Sequence, residues 1–389
     1  MNDILLVITP LLIAFIAVCI IHSYIVKIAV SKNIVDQPNA RKLQKEPVPI
    51  LGGVAIFFGL CLSLAVMSFT CNFAALFVIF SAIMIMLYVG TIDDVLDLSP
   101  WTRFTVQVLT VLLLIFAGKL GLDNLHGLFG VTELRFLIMA PLTIFACVGI
   151  INAINLIDGV DGLSSAYCIM AATAFGTVFL LGEGSQTMSI LAMSVIGSLI
   201  PFFMHNVFGK SSKMFIGDGG TLIMGLIMSV FVMRIVQSEG VTKLLDDQGY
   251  SSIAFTLAVL AIPVFDTLRV MLLRFFQGKS PLNPDKTHLH HLFIELGCSH
   301  IVTTIFIVTL NSLIIMLWWW LGSSGVSPEV QVCVIVTASF LCTTGIYGCF
   351  RWLQHHSPAT FNKIVKFNHR VRPRREGIFL SLQKWIDKV

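Results

Sequence analysis

The stretch Asn155-Leu156-Ile157-Asp158-Gly159-Val160-Asp161-Gly162-Leu163 sets two carboxylates and two glycines between two long apolar runs. A membrane helix needs about 20 mostly apolar residues. Residues 135–181 are too many for one pass, so the stretch reads as a turn between two spans, 135–154 and 162–181. A carboxylate inside a membrane is costly and marks a functional site by default. Two further acidic clusters interrupt apolar sequence in the same way: Asp93-Asp94, followed by Asp97, and Asp218 within Met214-Phe215-Ile216-Gly217-Asp218-Gly219-Gly220. What the chain does depends on whether these clusters meet on one side of the membrane.

The composition fits that reading. Of 389 residues, 56% are hydrophobic and 12% charged, against about 25% charged in a soluble domain. Nine cysteines, most of them inside apolar runs and none in a CxxC pair, read as reduced core residues and not as a disulfide frame or zinc site. The opening Met1-Asn2-Asp3 lacks the basic stretch of a signal peptide, so the first apolar run reads as a retained helix. Eleven candidate spans follow: 4–26, 50–69, 73–92, 103–121, 135–154, 162–181, 187–205, 215–236, 252–273, 302–321 and 328–350. The expected fold is an all-α polytopic membrane protein with about eleven transmembrane helices. Residues 1–350 are expected to form one transmembrane domain that carries the acidic motifs, and 351–389 a basic cytoplasmic tail, whose last part, from Ile378 to Ile386, suits a short amphipathic surface helix.

Lysine and arginine set the orientation, because cytoplasmic loops carry an excess of them. Segments 27–49, 93–103, 155–161, 206–214, 274–301 and 351–389 hold 20, whereas the alternate set holds only Lys119, Arg135 and Lys243. The N-terminus is therefore expected to be periplasmic and the C-terminus cytoplasmic. All three acidic clusters then face the cytoplasm, together with His288, His290 and His291.

Adjacent carboxylates such as Asp93 and Asp94 repel, and suit a divalent ion or a general base. The glycines around Asp218 admit close backbone approach, and hard oxygen ligands suit Mg²⁺. Asp158 or Asp161 fits the N-cap of the following helix, with Asn152 and Asn155 offering amides beside them. The three histidines do not have a zinc spacing. Arg103, Lys213 and Arg274 supply cations on the same face, and Asp266 with Arg269, three apart, reads as an internal ion pair. Each cluster also has an ordinary reading: a solvated helix end, an Asp-Gly turn, a capping residue, a solvated loop. Carboxylates, a divalent ion and cations on one face suit phosphoryl chemistry, and the membrane setting suggests a lipid phosphate as one substrate.

The motifs in order, namely Asp93-Asp94, Asn152 to Leu163, Asn206 to Gly220 and Arg274 to His291, resemble those of the polyprenyl-phosphate N-acetylhexosamine-1-phosphate transferases. Pro38-Asn39-Ala40-Arg41-Lys42 and Pro49-Ile50-Leu51-Gly52-Gly53 match two earlier elements, so the resemblance spans the chain to about residue 350. The His288–His291 loop and Asp97 resemble the GlcNAc-1-phosphate branch more than the MurNAc-pentapeptide branch, while Gln44 departs from a frequent histidine. The resemblance implies transfer of N-acetylhexosamine-1-phosphate, GlcNAc-1-phosphate first among the choices, from a UDP-sugar to undecaprenyl phosphate. UMP is released, and lipid-linked cell-envelope glycan synthesis (O antigen, lipopolysaccharide) is initiated. It implies Mg²⁺ or Mn²⁺ held by Asp218 and Asp94, and catalytic roles for Asp93, Asp94, Asp218 and His288. Substrate-binding residues would be Asn152, Asn155, Asp158, Asp161, Asn206, Lys213, Arg274, His290, His291 and Arg103. The implied partners are the UDP-N-acetylhexosamine, undecaprenyl phosphate and the bilayer, with no nucleic acid; a homodimer is compatible. The implied location is the bacterial inner membrane, with the site on the cytoplasmic face. Two alternatives stay open: the same reaction with another UDP-sugar, and an ion-coupled secondary transporter.

Overall fold

The computed structural model describes residues 3–37, 46–69, 76–183, 186–278, 287–371 and 376–388. Arg41, Lys42, Gln44 and the Lys279–Lys286 part of the histidine motif lie outside them. The described chain is an all-α membrane protein with one two-residue pairing, β1 (Val35–Asp36) against β2 (Val48–Pro49). The helices run α1 (Asp3–Ser31), α2 (Gly52–Met67), α3 (Leu76–Leu96), α4 (Pro100–Phe116), α5 (Phe136–Leu156), α6 (Leu163–Leu181), α7 (Gln186–Phe208) and α8 (Gly217–Gln237). A short surface helix α9 (Glu239–Asp246) leads to α10 (Ser252–Val259), α11 (Ala261–Phe276) and α12 (Leu289–Glu295). Then come α13 (His300–Ser323), α14 (Pro328–Phe340), a π segment (Leu341–Gly345), α15 (Ile346–His356), α16 (Pro358–Val371) and α17 (Ile378–Ile386).

Every expected span falls on a helix. Among the described residues eight helices are long and apolar enough to cross a membrane, α10 with α11 makes a bent ninth, and α2 and α4 are shorter apolar helices. α8 is the most enclosed, and α3, α5 and α2 pack against it, which places the core on the helix whose first turn carries Asp218.

The span expected over 252–273 is not straight: α10 and α11 meet at 74°. Pro263 has no N–H to give to the carbonyl of Val259. Two side chains take over the freed groups. Tyr167 Oη donates to Val259 O at 2.7 Å, and Asn311 donates to Val259 O at 3.0 Å while accepting from Ile262 N at 2.9 Å. Both side chains are fully buried. A break in an apolar bundle survives only when its backbone groups find such partners.

Glycines draw the motif-bearing helix ends together. A Cβ on Gly53 would fall on the backbone of Gly219 and Gly220, and one on Gly90 would fall on Gly219 and Asp218. The start of α2, the last turns of α3 and the start of α8 therefore touch backbone to backbone. Gly52 N and Gly53 N donate to Phe215 O and Ile216 O, and Phe215 N donates to Pro49 O, so segment 49–53 and the approach to Asp218 are laced together.

Candidate active site

The first centre forms where α3, α4, α5 and α8 meet. Asp93 closes the end of α3 by accepting Leu98 N at 2.7 Å, and its other oxygen faces Arg103 Nη1 at 2.9 Å. Arg103 reaches it because Ser99 caps α4 by accepting Thr102 N, with Pro100 in the first turn. The same guanidinium nitrogen lies 3.7 Å from Asp218 Oδ2. Asp94 accepts Asp218 N at 2.8 Å and Gly219 N at 3.2 Å. Asn155 donates to Asp218 Oδ1 at 2.6 Å and to Thr221 Oγ1 at 2.8 Å. Three carboxylates, one guanidinium and one amide thus converge from four helices. Asp93 is 4% exposed and the Asp218 side chain 32%, so Asp218 is the carboxylate open to a ligand.

The second centre is the 157–162 turn. Asp158 accepts from Ser164 Oγ. Burial, and then the nearby charges of Asp218 and Asp161, push Asp158 up to about 8, against the pull of Ser164. Asp161 pairs with Lys213 Nζ at 2.7 Å and His300 Nδ1 at 2.9 Å. Burial would raise it, but His300 and Lys213 hold it below the usual carboxylate range. The expected cap of the sixth helix is not made. The N-cap is Gly162 at φ +77°, with no side-chain cap bond, because both acids are drawn to other partners. Asn206 staples the turn to the neighbouring loop, accepting Gly162 N at 2.7 Å and donating to Met214 O at 2.8 Å.

The third centre is the histidine segment. Asp266 accepts Arg269 Nη2 at 2.7 Å and Leu289 N at 3.1 Å, and faces His288 Nδ1 at 3.0 Å. The pair expected at Asp266 and Arg269 is present, and it also caps α12. A carboxylate oxygen accepts, so Nδ1 carries the hydrogen and Nε2 is left for a second partner. His290 lies on the 157–162 turn: a Cβ on Gly159 would sit 2.5 Å from its Nε2. Burial first, then His291 and His288 beside it, hold His290 well below the ordinary imidazole value. Arg274 is buried in the last turn of α11.

The structure therefore brings together Asp93, Asp94, Asp218, Asn155 and Arg103, and sets Asp158, Asp161, Lys213, Asn206 and His290 around the adjoining turn. Asn152 points elsewhere, donating to Gln107 Oε1 and Val148 O, both at 2.8 Å. Thr221, Gln107, Ser164, Asp266 and His300 support these groups. Only Asp266 stood out in the sequence, through its spacing to Arg269; the others are lone polar residues whose partners are distant or ordinary.

Among the described residues no three His, Cys, Asp or Glu side chains are grouped to hold a metal by themselves. The donor set suits a hard ion of the Mg²⁺ type, which takes one or two carboxylates and completes its shell with water and substrate phosphate.

Residues 76–236 match the sequence profile described as Glycosyl transferase family 4. These residues contain Asp93, Asp94, the 155–163 stretch and Asp218, which are the groups just described. The chain is similar to glycosyl transferase family 4 over this region. It is 28% identical over 385 residues to an undecaprenyl-phosphate alpha-N-acetylglucosaminyl 1-phosphate transferase of Escherichia coli K12, covering 96% of this chain and 98% of that one. A Salmonella typhimurium protein of the same name is 28% identical over 90% of this chain and 92% of its own. A Bacillus subtilis protein, named as a probable undecaprenyl-phosphate N-acetylglucosaminyl 1-phosphate transferase, is 29% identical over 76% of this chain and 79% of its own. The profile match and these relatives together identify an enzyme of the glycosyl-1-phosphate transferase class, which decides against the transporter alternative.

Proposed function

We propose that this enzyme transfers N-acetylhexosamine-1-phosphate, with GlcNAc-1-phosphate as the first choice, from the UDP-sugar to undecaprenyl phosphate on the cytoplasmic face of a bacterial inner membrane. In the net exchange the bond between the sugar-bearing phosphorus and the bridging oxygen breaks. A bond from that phosphorus to an oxygen of the lipid phosphate forms, and UMP leaves with the bridging oxygen. The observation that carries the reading is the convergence of Asp93, Asp94 and Asp218 on Arg103 and Asn155. The excess of Lys and Arg in the loops at this end supports the cytoplasmic assignment.

Asp218 would hold a divalent ion, Mg²⁺ or Mn²⁺, with Asp94 beside it; when bound, such an ion neutralises charge on the diphosphate. Asn155 fixes the Asp218 carboxylate through Oδ1 and leaves its second oxygen on the Arg103 side. Asp93 takes the proton of the lipid phosphate or orients it, with Arg103 balancing the charge. Lys213, Asp161 and Asp158 form the nucleotide-side wall, and Asn206 fixes its backbone. Asp266 orients the His288 ring toward the phosphate side, and Arg274 supplies positive charge near it. Initiation of a cell-envelope glycan follows from the product, a lipid-diphosphate sugar.

The test is UMP release by detergent-purified protein supplied with UDP-GlcNAc, polyprenyl phosphate and Mg²⁺, then with a panel of UDP-sugars. Release dependent on all three supports the proposal. Absence of release with every donor overturns it.

A further inference from the structure

The segment read as a basic tail contains nine Lys and Arg but only two acids, Glu376 and Asp387. Asp387, just past the end of α17, lies in a cradle of donors on the loop between α7 and α8. Lys210 N reaches its two oxygens at 3.0 and 3.3 Å, Ser212 N reaches Oδ1 at 3.1 Å, and Ser212 Oγ reaches it at 2.9 Å. The partners are 175 and 177 residues away in sequence. α17 is seated there by packing: it lies on α7, Ile386 is 2% exposed, and the rings of Phe379 and Phe208 are 5.2 Å apart.

The same loop is gripped from the bundle side. Ser212 O bonds to His22 Nε2 at 2.8 Å, Ser212 Oγ to His205 Nδ1 at 3.0 Å, and Met214 O to Asn206. Lys213 sits between the two gripped residues, with Nζ 2.7 Å from Asp161. A carboxylate that accepts several backbone N–H groups makes charge-assisted bonds, stronger than neutral ones. Partial burial would raise the Asp387 carboxyl, but the N–H groups of Lys210 and Ser212 hold it below the ordinary range.

We propose that Asp387 is a positioning residue of the transfer site: through the 210–212 backbone it fixes the loop that presents Lys213 to the nucleotide side. This rests on the proposed function for Lys213, whereas the contact itself does not. α17 thereby acts as a strap across one wall of the site.

The experiment compares the full chain with Asp387→Ala, Asp387→Glu and the exposed control Lys388→Ala in detergent. Amide hydrogen exchange is read first, because it needs no activity. Asp387→Ala should speed exchange of the 209–213 peptide and leave α3, α5 and α8 unchanged. In steady-state assays it should raise KM for the UDP-sugar roughly tenfold, with kcat within about twofold and KM for polyprenyl phosphate unchanged. Asp387→Glu should recover part of the loss, and Lys388→Ala should match the unaltered protein. Unchanged exchange at 209–213 overturns the proposal. So does a fall in kcat without a change in donor KM, or an equal rise in KM for both substrates. Should Asp387→Ala aggregate, Asp387→Asn, which keeps the side-chain size and removes the charge, carries the same comparison. Failure of the unaltered protein to use any UDP-sugar overturns the proposed function, and is told apart because the exchange difference survives it.

Discussion

Asp94, near the end of α3, accepts the backbone N–H of Asp218 at 2.8 Å, and its second oxygen takes Gly219 N at 3.2 Å. Ile216, which precedes α8, offers no side-chain cap, so a carboxylate from another helix satisfies these first-turn donors. Asp94 therefore sets the position of Asp218 whether or not it also touches an ion. Asp94→Ala removes this cap at a cost of about 0.5–2 kcal/mol. The expected result is a Tm lower by about 2–4 °C and turnover lower by about 10²-fold, since a small misplacement of a reacting group has that effect. Thermal shift and UMP-release assays on the same preparation check both.

Asp218 differs from its neighbour in being open, with its side chain 32% exposed. Asp218→Asn keeps the shape, the Asn155 contact and the helix start, and removes the charge. The variant should purify with an unaltered elution profile and Tm, show no detectable UMP release, and bind Mn²⁺ more weakly by electron paramagnetic resonance. EDTA should silence the unaltered protein and excess Mg²⁺ should restore it. Full activity in the variant would sink the assignment of Asp218 to the ion.

Asp266 and His288 separate stability from chemistry. Asp266 faces the nearly buried Arg269 and caps α12, so Asp266→Ala leaves a buried guanidinium without its counter-charge. Removing one partner of such a pair destabilises by about 3–5 kcal/mol. The variant should lose its monodisperse peak in detergent. His288→Gln keeps a polar side chain at the start of α12 and removes the imidazole. It should stay folded and lose roughly tenfold or more in kcat/KM for the UDP-sugar.

The sequence was most informative where a signal is local. Each span is a long apolar run, so all eleven land on helices, and the acidic motifs interrupt those runs and so identify themselves. The bend at Leu260 is carried by Pro263 together with Tyr167 and Asn311, and the last two are distant in sequence and ordinary as isolated residues. Asp158 and Asp161 satisfy the local rule for a helix cap, yet Ser164, Lys213 and His300 compete for them more strongly. The 351–389 segment reads as basic sequence that suits a membrane surface. Its ties to the bundle, Arg351 to Glu295, Asn368 to Leu296 O and Asp387 to the 210–212 loop, are polar contacts across long separations. No periodicity or motif announces them.

Asp158 offers a test by pH. Its carboxyl is pushed up to about 8 in the folded protein from an ordinary value of 3.8. Between those limits the folded chain holds a proton that the unfolded chain has released. Stability from this group is thus fully present below 3.8, declines as pH rises toward 8, and is flat above it. Asp158→Asn imitates the neutral form at every pH and removes that decline. In buffer free of divalent ions and substrate, the unaltered protein should lose about 1–3 °C more in Tm than the variant between pH 6 and pH 8.5. Parallel Tm curves would show that Asp158 is already ionised in the folded state, leaving its negative charge beside Asp161 and Asp218 to be balanced by Lys213 and His300.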